Sequence, residues 1–142
     1  MTSSIPTDSP AIDVRRATEI TARIPGRRIV VLGDIMLDEF VWGDVTRISP
    51  EAPVPVVDVS RESIHLGGAA NVYANLIALG AQANVVGIIG DDTTGRRLMN
   101  ELNSGAAHEA CKTLVIDPSR PTTVKTRIIA HNQLVVRTDR EK

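Results

Sequence analysis

The sequence predicts an α/β fold: a mostly parallel sheet flanked by helices, with a protruding β flap. Three observations predict it. Ile29-Val30-Val31-Leu32 is a continuous apolar run, which suits a strand buried on both faces of a parallel sheet. Ala83 to Gly90 is a second such run. Helical patterns lie between the two runs and after the second, so the chain alternates strand, helix, strand, helix.

Composition bounds the function. At 142 residues the chain is one domain at most, large enough to bury a core. Its net charge is −1, so no bulk attraction to nucleic acid is expected. Phe40, Trp42 and Tyr73 are its only aromatic rings, too few to form a stacking platform for single strands. The single cysteine, Cys111, excludes an intrachain disulfide, lacks a partner for a metal site and reads as a small side chain near a strand start. No apolar run has the length of a membrane span and no leader pattern opens the chain, so a cytoplasmic protein with no membrane partner is expected.

In chain order, residues 1–12 read as a flexible arm. Residues 13–24 have helical spacing, with Asp13 as cap and Pro25-Gly26 as stop. After the first strand, Gly33-Asp34 leads to Asp38, at the carboxyl end of a strand where open α/β sheets bind ligands. Asp38 either accepts hydrogen bonds from sugar hydroxyls or caps a loop. Phe40-Val41-Trp42 suggests a short strand turned by Gly43-Asp44. Three prolines between Ser49 and Pro55 exclude a helix or a central strand. Val54 to Val59 then continues as an extended edge or flap, with Ser63 to Leu66 as its return strand. Valines on one face of that flap must cover either a ligand or a second subunit.

The stretch His65-Leu66-Gly67-Gly68-Ala69-Ala70-Asn71-Val72 organises the rest. Two glycines close a loop, and a helix opens behind them and stops at Gly80. The glycines permit positive φ and close approach of backbone to a ligand. The first helical turn offers unpaired N–H groups, and Asn71 adds a side-chain amide. The pattern fits either a hydroxyl- or anion-binding turn, or a small-residue helix packed closely on a sheet.

Further on, Asp91 and Asp92 precede a helix with Leu98, Met99 and Leu102 on its buried side, ended by Asn103-Ser104-Gly105. Lys112 to Ile116 reads as a third strand. Asp117 to Pro121 is turn-rich. Thr122 to Ile129 and Leu134 to Thr138 read as two strands joined around His131-Asn132-Gln133. Lys125 and Arg127 are two apart, so on a strand they share one face and either clamp a phosphate or stay solvated. No Walker loop, Gly-x-Gly-x-x-Gly, paired Cys or His ligands or Gly-x-Ser-x-Gly elbow is present.

Four blocks in order carry a resemblance: Val31-Leu32-Gly33-Asp34-Ile35-Met36-Leu37-Asp38, Arg47-Ile48-Ser49-Pro50-Glu51-Ala52-Pro53-Val54-Pro55-Val56, Gly67-Gly68-Ala69-Ala70-Asn71-Val72, and Pro121-Thr122-Thr123-Val124-Lys125-Thr126-Arg127. Over about residues 27–142 the chain resembles the N-terminal half of the ribokinase-like (PfkB) carbohydrate kinases. The second and fourth blocks resemble the branch acting on D-glycero-β-D-manno-heptose 7-phosphate, often the first domain of a bifunctional kinase/adenylyltransferase of ADP-heptose synthesis. The third block is shared across the family.

The resemblance implies a ribokinase-like α/β fold with a small β lid, formed here by segments about 40–66 and 122–138 of a kinase portion spanning 13–142. It implies ATP-dependent transfer of phosphate to the C1 hydroxyl of the heptose 7-phosphate. Asp38, Gly67, Gly68 and Asn71 would hold sugar hydroxyls, and Lys125 with Arg127 would bind or orient the 7-phosphate. Tyr73 stands where the family usually has a small residue, and either crowds the site or fills a neighbouring gap. The family's catalytic base, in its Gly-Ala-Gly-Asp motif, and its Asn-x-x-Glu motif linked to magnesium are expected downstream of Lys142. Residues 1–142 are therefore expected to hold no catalytic residue and no metal ligand, to bind Mg-ATP only as part of the intact enzyme, and to be inactive alone. A sugar phosphate is the expected ligand, and a homodimer through the β lid the expected assembly. A non-catalytic sugar-binding or dimerisation module, or another PfkB-type sugar kinase, is the alternative.

Overall fold

The computed structural model describes residues 13–103 and 113–141. The expected arm at 1–12, Ser104-Gly105, Cys111 and Lys112 lie outside them. In order, the elements are α1 (Val14–Thr21), β1 (Arg28–Leu32), β2 (Ile35–Ile48), β3 (Pro55–Gly67), α2 (Gly68–Ala78), β4 (Gln82–Ile89), α3 (Thr93–Asn103), β5 (Leu114–Ile116), β6 (Thr123–Ala130) and β7 (Gln133–Arg140). They form two sheets: a three-stranded parallel sheet ordered β1-β4-β5, and a four-stranded mixed sheet ordered β3-β2-β6-β7. The α/β architecture predicted from the strand-helix rhythm is present.

The core lies where the two sheets meet α2 and α3. Ile35 and Leu37 from β2, Ala69, Ala70 and Tyr73 from α2, Ala83, Val85 and Ile89 from β4, and Leu98 and Leu102 from α3 form one buried cluster. Tyr73 is 3% exposed within it, so it fills the core rather than crowding the glycine turn. On α2, Val72 and Leu79 are exposed, and the small pair Ala69-Ala70 makes the close contact.

Several readings need correction. β1 is not buried on both faces. Val30 and Leu32 are 67% and 79% exposed while Ile29 and Val31 face inward, because α2 covers one side of the parallel sheet only. Gly43 does not turn the chain. β2 runs through it for 14 residues, and a register shift between Trp42 and Gly43 absorbs an extra residue of β3. A Cβ at Gly43 would collide with the Asp58 carbonyl, so glycine serves a close strand approach here. Ser63 to Leu66 does not fold back on Val54 to Val59. From Pro55 on, both lie in β3, and β2 is the partner of both. Pro50 and Pro53 sit in the connecting turn, closed by the Ser49 N–H to the Val54 carbonyl at 2.8 Å, and Pro55 opens β3.

Other local expectations are met. Asp13 caps α1, accepting from the Arg16 N–H at 2.6 Å. His131 and Asn132 have φ of 49° and 61°, the left-handed pair of a tight two-residue hairpin joining β6 and β7. Asp92 does more than cap α3. Its Oδ1 accepts from the Gly95 N–H at 2.7 Å and the Thr122 hydroxyl at 2.8 Å, and its Oδ2 from the Thr122 N–H at 2.9 Å. Burial opposes ionisation of Asp92, but these bonds together outweigh it and hold the carboxyl below the usual range. Thr122 is itself buried and also accepts from the Gly90 N–H, so one residue ties β4, α3 and the entry to β6. Asp92→Ala removes the cap and strands a buried N–H. It is expected to cost about 2–3 kcal/mol, read as a lower urea midpoint with unchanged slope.

Candidate functional site

The site forms where β2 leaves the core and α2 begins. The Ala69 N–H donates to the Asp34 carbonyl at 2.8 Å, pinning the start of α2 to the β1–β2 turn. Gly68 has φ of +55°, and a Cβ there would collide with that carbonyl. A Cβ at Gly67 would lie 2.5 Å from Asp38 Oδ2. Both glycines are thus required by packing, and their cost-free approach sets the Asp38 carboxylate against the glycine turn. The helix has no side-chain N-cap, so its first-turn donors are not covered by a cap residue.

Asn71, in that first turn, is exposed. Its Oδ1 and its carbonyl both accept from Asn75 Nδ2, at 3.1 and 2.8 Å, which orients the amide and presents its NH₂ as donor. Asp38, Asn71, Leu66, His65, Phe40 and Trp42 line one open recess. Two of the six expected residues, Asp38 and Asn71, thus share this recess, and Gly67 packs against the Asp38 carboxylate with Gly68 next to it at the start of α2.

Lys125 and Arg127 lie beside them on β6, paired in parallel with β2, with Lys125 directly opposite Asp38. They share one face, as their spacing predicts. Neither is unmatched. Arg127 Nη1 donates to Asp38 Oδ1 at 2.5 Å, with both side chains about three-quarters buried. Lys125 Nζ donates to Asp139 Oδ2 at 3.0 Å and Glu141 Oε2 at 2.9 Å. The hydrogen bonds that Lys125 donates to Glu141 and Asp139 raise its pKa above the ordinary value, and the bond from Lys125 lowers that of Asp139.

Sequence reading missed Asp139 and Glu141. Their signal is an acidic pair that a hairpin turn at His131-Asn132 brings opposite Lys125. It also missed the side-chain roles of Phe40 and Trp42, whose rings stack at 5.5 Å. Arg61 over Trp42 and His65 edge-on to Phe40 were likewise unassigned. Among the described residues, no group of three or more His, Cys, Asp or Glu side chains is placed to hold a metal ion, and no helix is long and apolar enough to cross a membrane.

Residues 27–141 match the family model described as pfkB family carbohydrate kinase. The chain belongs to that family. Among curated relatives of this PfkB chain, the bifunctional protein HldE of Helicobacter hepaticus is 54% identical over 114 residues, covering 80% of this chain and 23% of the relative. The bifunctional protein HldE of Bradyrhizobium diazoefficiens is 52% identical over 109 residues, covering 77% and 22%. The chain thus spans about a quarter of the length of these relatives. Among solved structures, the ribokinase of Cryptococcus neoformans in complex with ADP superposes with a TM-score of 0.53 at 22% identity, over 80% of this chain and 33% of that one. The fold is the ribokinase-like α/β fold, represented in part.

The charge pattern yields a pH prediction. A raised Lys125 pKa contributes stability below the ordinary lysine range, lost as pH rises through the raised value. A lowered Asp139 pKa contributes stability above the ordinary carboxylate range, lost as pH falls through the lowered value. Between these limits the cluster is fully formed. In Lys125→Met the Asp139 midpoint, followed by carboxyl ¹³C NMR, is expected to move up toward its ordinary value.

Proposed function

We propose that this chain forms the sugar-binding side of an ATP-dependent kinase that phosphorylates D-glycero-β-D-manno-heptose 7-phosphate at its C1 hydroxyl, in ADP-heptose synthesis. The observation that carries the reading is that Asp38 and Asn71 line one recess, with Gly67 packed against the Asp38 carboxylate at the start of α2. The likeness to HldE proteins supports the heptose branch over other sugar kinases.

In this reading Asp38 accepts hydrogen bonds from two neighbouring sugar hydroxyls. Its bond to Arg127 fixes the plane of the carboxylate. The Asn71 NH₂ donates to further hydroxyl oxygens beside the start of α2, whose Ala69 N–H is already bonded to the Asp34 carbonyl. Lys125 and Arg127, each already paired with carboxylates, orient the phosphorylated acceptor by exchanging those partners for it. ATP, with magnesium, supplies the phosphoryl group, while these residues bind the acceptor and present its C1 hydroxyl. Such positioning is a large part of phosphoryl-transfer catalysis. The mixed sheet acts as the β lid over the sugar, in a cytoplasmic enzyme.

Asp38→Asn is expected to weaken heptose and heptose 7-phosphate alike, by about tenfold in Kd by calorimetry. Unchanged binding of both would remove Asp38 from the site. Lys125→Ala should weaken the 7-phosphate more than the unphosphorylated heptose, and equal loss would exclude a phosphate role.

A homodimer through the lid belongs to the same proposal. Val59 on β3 and Leu134 and Val136 on β7, the edge strands of the mixed sheet, are exposed, as is Val54 just before β3, apolar surface that pairing between copies would cover. Sedimentation equilibrium is expected to give a dimer that Val136→Lys dissociates.

A further inference from the structure

We propose that Arg61, with Ser63 and His65, forms the subsite for the phosphate group at the outer end of the sugar site. The inference rests on the proposed function, since its ligand is a sugar phosphate.

Arg61, Ser63 and His65 alternate along β3 and share one face. Their register partners on β2 are Trp42, Phe40 and Asp38. That face therefore presents Asp38 with His65 nearest the core, then Phe40 with Ser63, then Trp42 with Arg61. The proposed function presents the C1 hydroxyl beside Asp38 and Asn71, at the core end of this face. The other end of the sugar, carrying its phosphate, then points outward along β2 toward Trp42.

Charge matching singles out Arg61. Lys125 is bonded to Asp139 and Glu141, Arg127 to Asp38, and Arg137 to Asp139. Arg61 has no carboxylate partner among the described residues. Its guanidinium lies 3.9 Å from the centroid of the Trp42 ring. Stacking holds the planar group in place while leaving the N–H donors on its rim available, the fork that suits a phosphate. The Ser63 hydroxyl and His65 Nε2, 2.9 Å apart, add a polar pair one step nearer the sugar. From Asp38 to Trp42 the strand rises about 13 Å, a span that a short phosphorylated tail and the reach of the arginine side chain bridge together.

The test uses the full chain with two probes, heptose and heptose 7-phosphate, in calorimetry, with fluorescence of Trp42, the chain's only tryptophan. The wild type is expected to bind both sugars, and only the 7-phosphate should change Trp42 emission, because it pulls on the overlying Arg61. Arg61→Gln should weaken the 7-phosphate about tenfold, leave heptose unchanged and abolish the emission change, while Arg61→Lys restores part of the affinity. His65→Gln should act in the same direction, more weakly. Loss of neither ligand, or equal loss of both, in Arg61→Gln overturns the subsite but leaves the sugar site standing. A wild type that binds neither sugar overturns the proposed function and this subsite with it.

Discussion

The structure depends on one close backbone approach. At Gly67-Gly68 the chain ends β3, passes against the Asp34 carbonyl and the Asp38 carboxylate, and starts α2, with no room for a side chain at either position. This contact joins the two sheets: Asp34 lies at the exit from the parallel sheet, and Asp38 on the mixed one. It also explains the burial of Ala69 and Ala70, since a helix that starts this near the β1–β2 turn leaves space for only a methyl group. The same geometry that packs the fold places a carboxylate beside a helix start, so structural need and binding chemistry coincide.

Around that junction the polar face of the mixed sheet is arranged as matched charges rather than as a bare cationic clamp. Asp38, Lys125 and Asp139 lie in one row across three strands, and Arg127 bridges diagonally to Asp38. Partly buried ions are tolerated when each has a partner. A ligand bearing charge must therefore enter an existing network and re-pair it, unless it meets a cation that the network leaves out. That contrast separates the sugar-hydroxyl end of the face from its outer end.

Much of this was legible in the sequence, for reasons that differ by element. The strand runs, the Asp13 cap and the hairpin at His131-Asn132 follow from local chemistry, and the glycine pair announces a tight approach wherever it occurs. The resemblance to PfkB kinases rests on those same residues. What was not legible depends on tertiary cover. Ile29 to Leu32 has the composition of a doubly covered strand, yet covering is a property of neighbours, and α2 is the one helix among the described residues that packs substantially against it. Gly43 has the local look of a turn, but its role is set by Asp58, 15 residues away in sequence, across a bulge. The pairing of Lys125 with Asp139 and Glu141 is likewise a matter of register, invisible to spacing along one strand.

The uncovered side of the parallel sheet has a practical consequence. Val30 and Leu32 on β1, Ile88 on β4 and Val115 on β5 lie on the same side and all are exposed. Together they make a sticky face some distance in character from the charged face of the mixed sheet. Self-association through it would be driven by apolar contact, and so would strengthen with temperature near ambient conditions and persist in high salt. Contacts made through ion pairs would weaken with added salt instead. The response of association to salt and temperature thus separates apolar contact, through this face or the apolar edges of the mixed sheet, from contact through the charged face, before any residue is changed.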